Sequence, residues 1–230
     1  MIRNYDDFVS ELLTTGFSEM GGGSPVVYSV MRHGWGDAPS GGPIRWFTGD
    51  PDTDPWEWRM RVLKERSDVA YAKLFFRKAG YVTEEWYPYF YAARRQNKSL
   101  ADEYYNGNVS SLAKRVYDAI SSCGGSPAHE VKKIAANSGD ERKKIDGALI
   151  ELQMKMYITI SGSRQKLTKT GEEYGWSSSV FKTAEDFFPS RVFEHAARLR
   201  AADAAEKIER RIYELDPSAE PKIVEKFIKG

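Results

Sequence analysis

From Leu112 onward the apolar positions form three helical blocks and then two strand-like ones, and that change of period organises the chain. Leu112, Val116, Ala119 and Ile120 recur at the three- and four-residue intervals of one helix face, and Gly124-Gly125 ends the block. Ser126-Pro127 opens a second helix with Val131, Ile134 and Ala135 turned inward. Ser138-Gly139-Asp140 reads as a turn, after which Ile145, Leu149, Leu152 and Met156 follow at helical spacing. Met156 to Ile160 then reads as a strand and Tyr174 to Phe181 as another, with the polar, basic stretch SGSRQKLTKTGEE between them. Three helices followed by a hairpin are the order of a winged helix-turn-helix.

The flanks are patterned less sharply. Asp6 to Leu13 forms a short amphipathic helix, broken by Gly21–Gly23. A short apolar stretch around Val26–Met31 is followed by a second break at Pro39–Pro43. Asp54 before Pro55 has the form of an N-cap with proline at the first helical position, and Glu57 completes the spacing of a capping box. Asp68 to Lys78 reads as helical. Thr83 to Trp86 starts another helix that runs toward Arg95, with Pro88 tolerated in its first turn. Asn106-Gly107-Asn108 is a turn and a boundary. Ser190 to Leu215 reads as one long alanine-rich helix stopped by Asp216-Pro217, with a short helix over Ile223–Ile228.

The expected fold is mainly α with a small β hairpin: a winged helix-turn-helix core carrying additional N- and C-terminal helices. Residues 1–108 would form an N-terminal mostly helical region, 109–182 the winged helix-turn-helix domain and 183–230 a C-terminal helical extension. An undivided core is equally allowed by a length of 230 residues.

Charge changes the picture only locally. The chain carries 34 basic and 33 acidic side chains, which favours no class of partner, but residues 109–170 hold 11 Lys/Arg against 6 Asp/Glu. The basic excess therefore sits in the helix-hairpin segment, and it is modest for a DNA-binding footprint. Cys123 is the sole cysteine, which excludes an internal disulfide and a cysteine zinc cluster. The acidic start MIRNYDDFVSELL lacks the positive region of a secretory signal, and no run approaches the ~20 apolar residues of a membrane span. A cytoplasmic protein without a membrane partner is expected.

Candidate chemistry concentrates on the third helix and the wing. Arg142, Lys143 and Lys144 lie in the first turns of that helix, where a helix-turn-helix meets the major groove, and Arg164, Lys166 and Lys169 on the hairpin could reach phosphates. Asp140, Glu141 and Asp146 flank the same cluster; a solvated charged face or a protein-contact surface is the competing reading. Asp50, Asp52 and Asp54 have the spacing that begins a calcium loop, but Pro55 and Arg61 stand where glycine and glutamate are needed. Proline-bounded turns and a helix cap, with Trp56 and Trp58 packed beneath, explain that cluster better. The aromatic run Trp86, Tyr87, Tyr89, Phe90, Tyr91 with Arg94 and Arg95 suits stacking on single-stranded nucleic acid. It suits better a helix packed on several sides, with the arginines at its polar end.

His33 lies in a glycine-rich loop, while His129 and His195 stand alone in helical segments, so no zinc-hydrolase spacing occurs. Gly16, Gly36 and Gly49 read as turn residues, and Ser24, Ser29 and Ser126 lack a nucleophile-elbow context. Cys123 at a helix end is expected to be buried or half-buried and inert. No cofactor or metal is expected.

The segments WFTGDPDTDPWEWR (46–59), AYAKLFFRKAGYVTEEWYPYFYAARR (70–95) and KIDGALIELQMKMYITISG (144–162) resemble the short bacterial proteins called AlkZ-related, over about residues 44–182. That family is distantly similar to winged-helix DNA glycosylases that remove alkylated bases. Those enzymes place a Gln-x-Gln or Gln-x-Asp motif beside the lesion. Gln96, Gln153 and Gln165 here are far apart, and none has Gln or Asp two residues on, so the motif is not carried over. Three functions follow in order: double-stranded DNA binding by the third helix and wing in a repair-related role, a protein-interaction module without a nucleic-acid surface, and a glycosylase-like enzyme. The last would need a pocket holding a carboxylate or amide, with Asp54, Glu57 or His33 to inspect. The oligomeric state is left open.

Overall fold

The computed structural model describes residues 2–21, 27–30, 45–96 and 98–230. Helix α1 (Tyr5–Thr15) is capped by the Asn4 side chain and ends at Gly16, so it closes before the predicted break at Gly21. Gly16 is held at φ +91, and a Cβ there would lie 2.1 Å from the Trp86 ring; only glycine meets both demands. Strand β1 (Phe17–Glu19) follows, and Tyr28 from the next described stretch pairs through its carbonyl with the Glu19 N–H. The expectations placed on Gly22, Gly23, Ser24, His33, Gly36 and the 39–43 break lie outside the described residues, as do the two ends of the 26–31 stretch.

Helix α2 (Pro55–Glu65) starts on Asp54 as predicted, whose carboxylate accepts from Trp56 N. The next segment departs from the sequence reading. Asp68 to Lys78 is not a helix but strand β2 (Val69–Phe75) and the start of strand β3 (Lys78–Thr83). The strand is buried on both faces, so it reads as a continuous apolar run, in which helix and strand cannot be told apart by period. Its turn, Phe76-Arg77, has both residues at positive φ (49 and 63), the backbone of a type I′ hairpin without the usual Asn-Gly.

Helix α3 (Tyr87–Arg95) and the short capped helix α4 (Leu100–Tyr105) lead to the predicted turn at 106–108. The winged helix then runs α5 (Ser111–Ser121), β4 (Ser126–Pro127), α6 (Ala128–Ile134), α7 (Gly139–Met154), β5 (Ile158–Leu167) and β6 (Glu173–Thr183). Val131 and Ala135 of the second helix point inward as expected, but Ile134 is exposed. Helices α8 (Ala184–Phe187), α9 (Ser190–Ala197), α10 (Ala201–Leu215) and α11 (Pro221–Lys229) complete the chain. The long helix predicted over 190–215 is thus two, divided where Arg200 turns extended (ψ 139) so that both pieces pack on α3. No glycine or proline marks that break.

Among the described residues, six strands form one antiparallel sheet in the order β1-β3-β2-β5-β6-β4. Alternation along the strands sends Tyr71 and Tyr81 to one face, where Phe8 of α1 and Trp58 of α2 pack on each other. It sends Phe17 to the other, against Phe90 of α3 and Phe227 of α11. The multi-stranded sheet with flanking helices keeps the expected winged helix and adds a second three-stranded half. The halves join at a single register pair, Tyr71 with Ile160.

One buried side chain, Gln153, and one half-buried, Arg94, reinforce that seam. Gln153 of α7 accepts from Lys73 N (2.9 Å), two residues past the Tyr71–Ile160 pair, and donates to Leu149 O (2.8 Å). Arg94 donates to the carbonyls of Leu74, Met154, Phe227 and Ile228 at 2.7–3.0 Å, tying β2, α7 and α11 together. Burial draws its pKa down to about 9, which leaves it cationic at neutral pH, and the four acceptors replace its lost hydration. Arg95 lies between the rings of Tyr91 and Tyr157 and pairs with Glu185 at 2.7 Å. The two arginines are therefore interior ties, not the polar end of α3.

Candidate nucleic-acid interface

The start of α7 is positioned by its own capping chemistry. Ser138 Oγ accepts from Glu141 N (3.2 Å), and Asp140 and Glu141 occupy the first turn, where the helix dipole favours acids. Glu141 accepts from Asn137 N at 2.8 Å and from the Arg115 guanidinium at 2.7 Å, locking α7 to α5. Those two contacts, the backbone N–H first, hold its carboxyl below the usual range. Much of the acidic charge that the sequence sets against the basic cluster is thus engaged structurally. Asp140 pairs with Lys143 at 3.2 Å, and Asp146 with Lys132 at 2.7 Å.

Helix α6, the first turn of α7 and the concave side of the β5-β6 wing enclose a recess of about 530 Å³. Five cations, Lys132, Lys133, Arg142, Arg164 and Lys166, and one carboxylate, Glu130, line it with His129, Gln165, Leu167 and Tyr174. Among the described residues, Lys133, Arg142, Arg164 and Lys166 take no part in the ion pairs of this region. His129 closes the floor through an Nδ1···Oγ contact of 3.0 Å with Ser178, which ties α6 to the wing. Burial, opposed by Glu130 and assisted by Lys133, Lys166 and Arg164, lowers its pKa, so the imidazole is neutral at pH 7. Four cations that take no part in the ion pairs of this region thus surround a neutral histidine.

The six residues singled out from sequence divide between two places. Arg142, Arg164 and Lys166 come together in the recess. Lys143 and Lys144 are exposed on α7 outside it, and Lys169 is exposed in the turn at the wing tip. Lys132, Lys133 and Tyr174 join Arg142, Arg164 and Lys166 in the recess, and Lys132-Lys133 in the last turn of a predicted helix is the signal for this in the sequence, where His129 reads only as an isolated histidine.

The sequence model of one family, described as AlkZ related, matches residues 2–229. The chain belongs to the AlkZ-related family. The match extends beyond the 44–182 stretch of the sequence resemblance and takes in both flanking regions. Comparisons with curated proteins and with solved structures give no match.

Within this AlkZ-related chain the other candidates have structural employment. Asp54 accepts from the N–H groups of Phe47, Thr48, Gly49 and Trp56 at 2.7–3.0 Å, which outweighs its burial and holds its carboxyl below the usual range. Asp50 is bonded by Asp52 N and the Thr53 hydroxyl, and Asp52 by Arg61, so the three aspartates serve turns, a cap and an ion pair. Trp58 is a core anchor, whereas Trp56 is partly exposed beneath the Arg59 guanidinium, 3.5 Å above its ring. Gln153 is the ladder substitute at the sheet seam, Gln165 lines the recess, and Gln96 caps α3 in the left-handed region. His195 is exposed beside Tyr89. Cys123, expected buried or half-buried, is exposed in the turn after α5, which ends at Ser121. Among the described residues, no cluster of three His, Cys, Asp or Glu could hold a metal ion, and no helix is long and apolar enough to cross a membrane.

Proposed function

We propose that this AlkZ-related chain binds DNA through the face formed by α6, α7 and the wing. The observation that carries the reading is the recess itself, in which Arg142, Arg164 and Lys166 join Lys133 without acidic partners. Phosphate contacts of this kind supply sequence-independent affinity. The repair-related role belongs to the same proposal and rests on the resemblance to winged-helix glycosylases.

Fluorescence anisotropy with labelled DNA tests the reading. Arg142→Glu combined with Lys166→Glu reverses charge at two exposed or half-exposed positions and is expected to abolish binding at low salt. A double variant that binds as tightly as the wild type would remove the recess from the account. Lack of binding by the wild type itself would favour a protein-interaction surface, for which the exposed Ile134, Leu167, Tyr174 and Trp176 are the starting point.

A further inference from the structure

This inference rests on the nucleic-acid reading and names the form of nucleic acid. The recess of about 530 Å³ has the volume of a small-molecule pocket. Its wing wall carries an aromatic ring beside cations. Lys166 and Tyr174 are directly opposite in the β5-β6 ladder, so ammonium and ring share one face of the wing, and Tyr174 is 50% exposed there. Arg164 pairs with Ser178, whose hydroxyl meets His129 at the floor, which puts the guanidinium on the same inner face.

Between those two register pairs, residues 175–177 oppose Gln165 alone. The extra length bulges outward, with Gly175 at φ +70, and leaves Trp176 92% exposed. Tyr174, half-exposed in the lining of the recess beside unpaired cations, supplies a stacking surface, and Trp176 stands exposed on the bulge outside it. Inside a duplex the base faces are already covered by their neighbours, so a free one is found only at its ends. An unpaired base has a free face, and its phosphate supplies the charge that Arg142, Arg164 and Lys166 lack.

We propose that the recess between α6 and the wing holds an unpaired nucleotide of single-stranded DNA, its phosphate on Arg142, Arg164 and Lys166 and its base stacked on Tyr174. Trp176 offers the next ring along the strand.

The test compares a labelled oligothymidylate with a blunt duplex of equal length at low salt, for the wild type, Tyr174→Ala, Tyr174→Phe and the Arg142→Glu/Lys166→Glu double variant. The single strand is expected to bind more tightly than the duplex. Tyr174→Ala should weaken it about tenfold while leaving the duplex unchanged, and Tyr174→Phe should restore it, since stacking needs the ring and not the hydroxyl. Quenching of Trp fluorescence by the oligothymidylate, absent in Trp176→Phe, would place the neighbouring base. Duplex binding that exceeds single-strand binding, or single-strand binding indifferent to Tyr174→Ala, would overturn this inference while the DNA-binding reading stands. Failure of the wild type to bind either form would overturn both.

Discussion

Asp54 and His129 show how far single side chains control this molecule. Four backbone N–H groups converge on the Asp54 carboxylate, fixing the 47–49 loop against the start of α2. Asp54→Ala is expected to lower the unfolding free energy by about 2 kcal/mol in urea denaturation, because the cap is lost while water re-satisfies the loop N–H groups. Because its folded pKa is depressed, the Asp54 contribution is complete above the ordinary carboxyl value of about 4 and disappears as pH falls through the lower folded value. Asp54→Ala should therefore cost less in acid than at pH 7, and an equal cost at both would contradict the assignment. His129 gives the opposite kind of signal. Its neutral form is favoured by burial and by Lys133, Lys166 and Arg164, so stability falls as pH drops below its ordinary value of about 6.5. A phosphate in the recess reverses that balance and draws a proton onto the ring. DNA affinity should then rise from pH 7.5 to pH 5.5 more in the wild type than in His129→Gln, and parallel profiles would show that no phosphate comes near the ring. At this scale the sequence was legible where a residue acts through its neighbours, as Asp54 does beside Pro55. It was opaque where partners are distant, as for Arg94, whose four carbonyls come from three separate elements.

The same contrast governs the elements. The helices of the winged domain announce themselves because each buries one stripe, and Ser138 and the Gly124-Gly125 pair mark their ends. The β2-β3 hairpin did not, because both its faces are covered and its turn is made of Phe76 and Arg77 rather than glycine or asparagine. Left-handed backbone at a non-glycine residue costs about 1–2 kcal/mol. Arg77 is exposed, so Arg77→Gly relieves the strain without losing packing, whereas Phe76 contacts Phe227 and must stay. Arg77→Gly is expected to stabilise the protein by about 0.5–1 kcal/mol after the entropic cost of glycine is subtracted, seen as a higher denaturation midpoint. A lower midpoint would mean that the turn does not have the backbone described. The division of the 190–215 helix at Arg200 has no local signal because its cause is tertiary: α9 and α10 both dock on α3.

On the scale of the whole molecule, the winged helix is half of a longer sheet. The three strands β4-β6-β5 continue into β2-β3-β1 through one register pair, and Gln153 and Arg94 bond the β2 backbone beside it. Pairing between residues about ninety positions apart leaves no periodic trace, so the sequence shows the winged helix and hides its extension. The family match over residues 2–229 agrees with a unit that includes both halves. The sheet braces the wing, and the braced wing, with α6 and α7, forms the cationic recess on which the account of function depends. The measurement that tests this most directly is the salt dependence of DNA binding by fluorescence anisotropy. Phosphate contact with the unpaired cations of the recess predicts that affinity falls at least severalfold between 50 and 200 mM salt, and that Arg142→Glu/Lys166→Glu removes the binding altogether. Binding that is insensitive to salt, or that survives the double charge reversal, would contradict a nucleic-acid site in this recess.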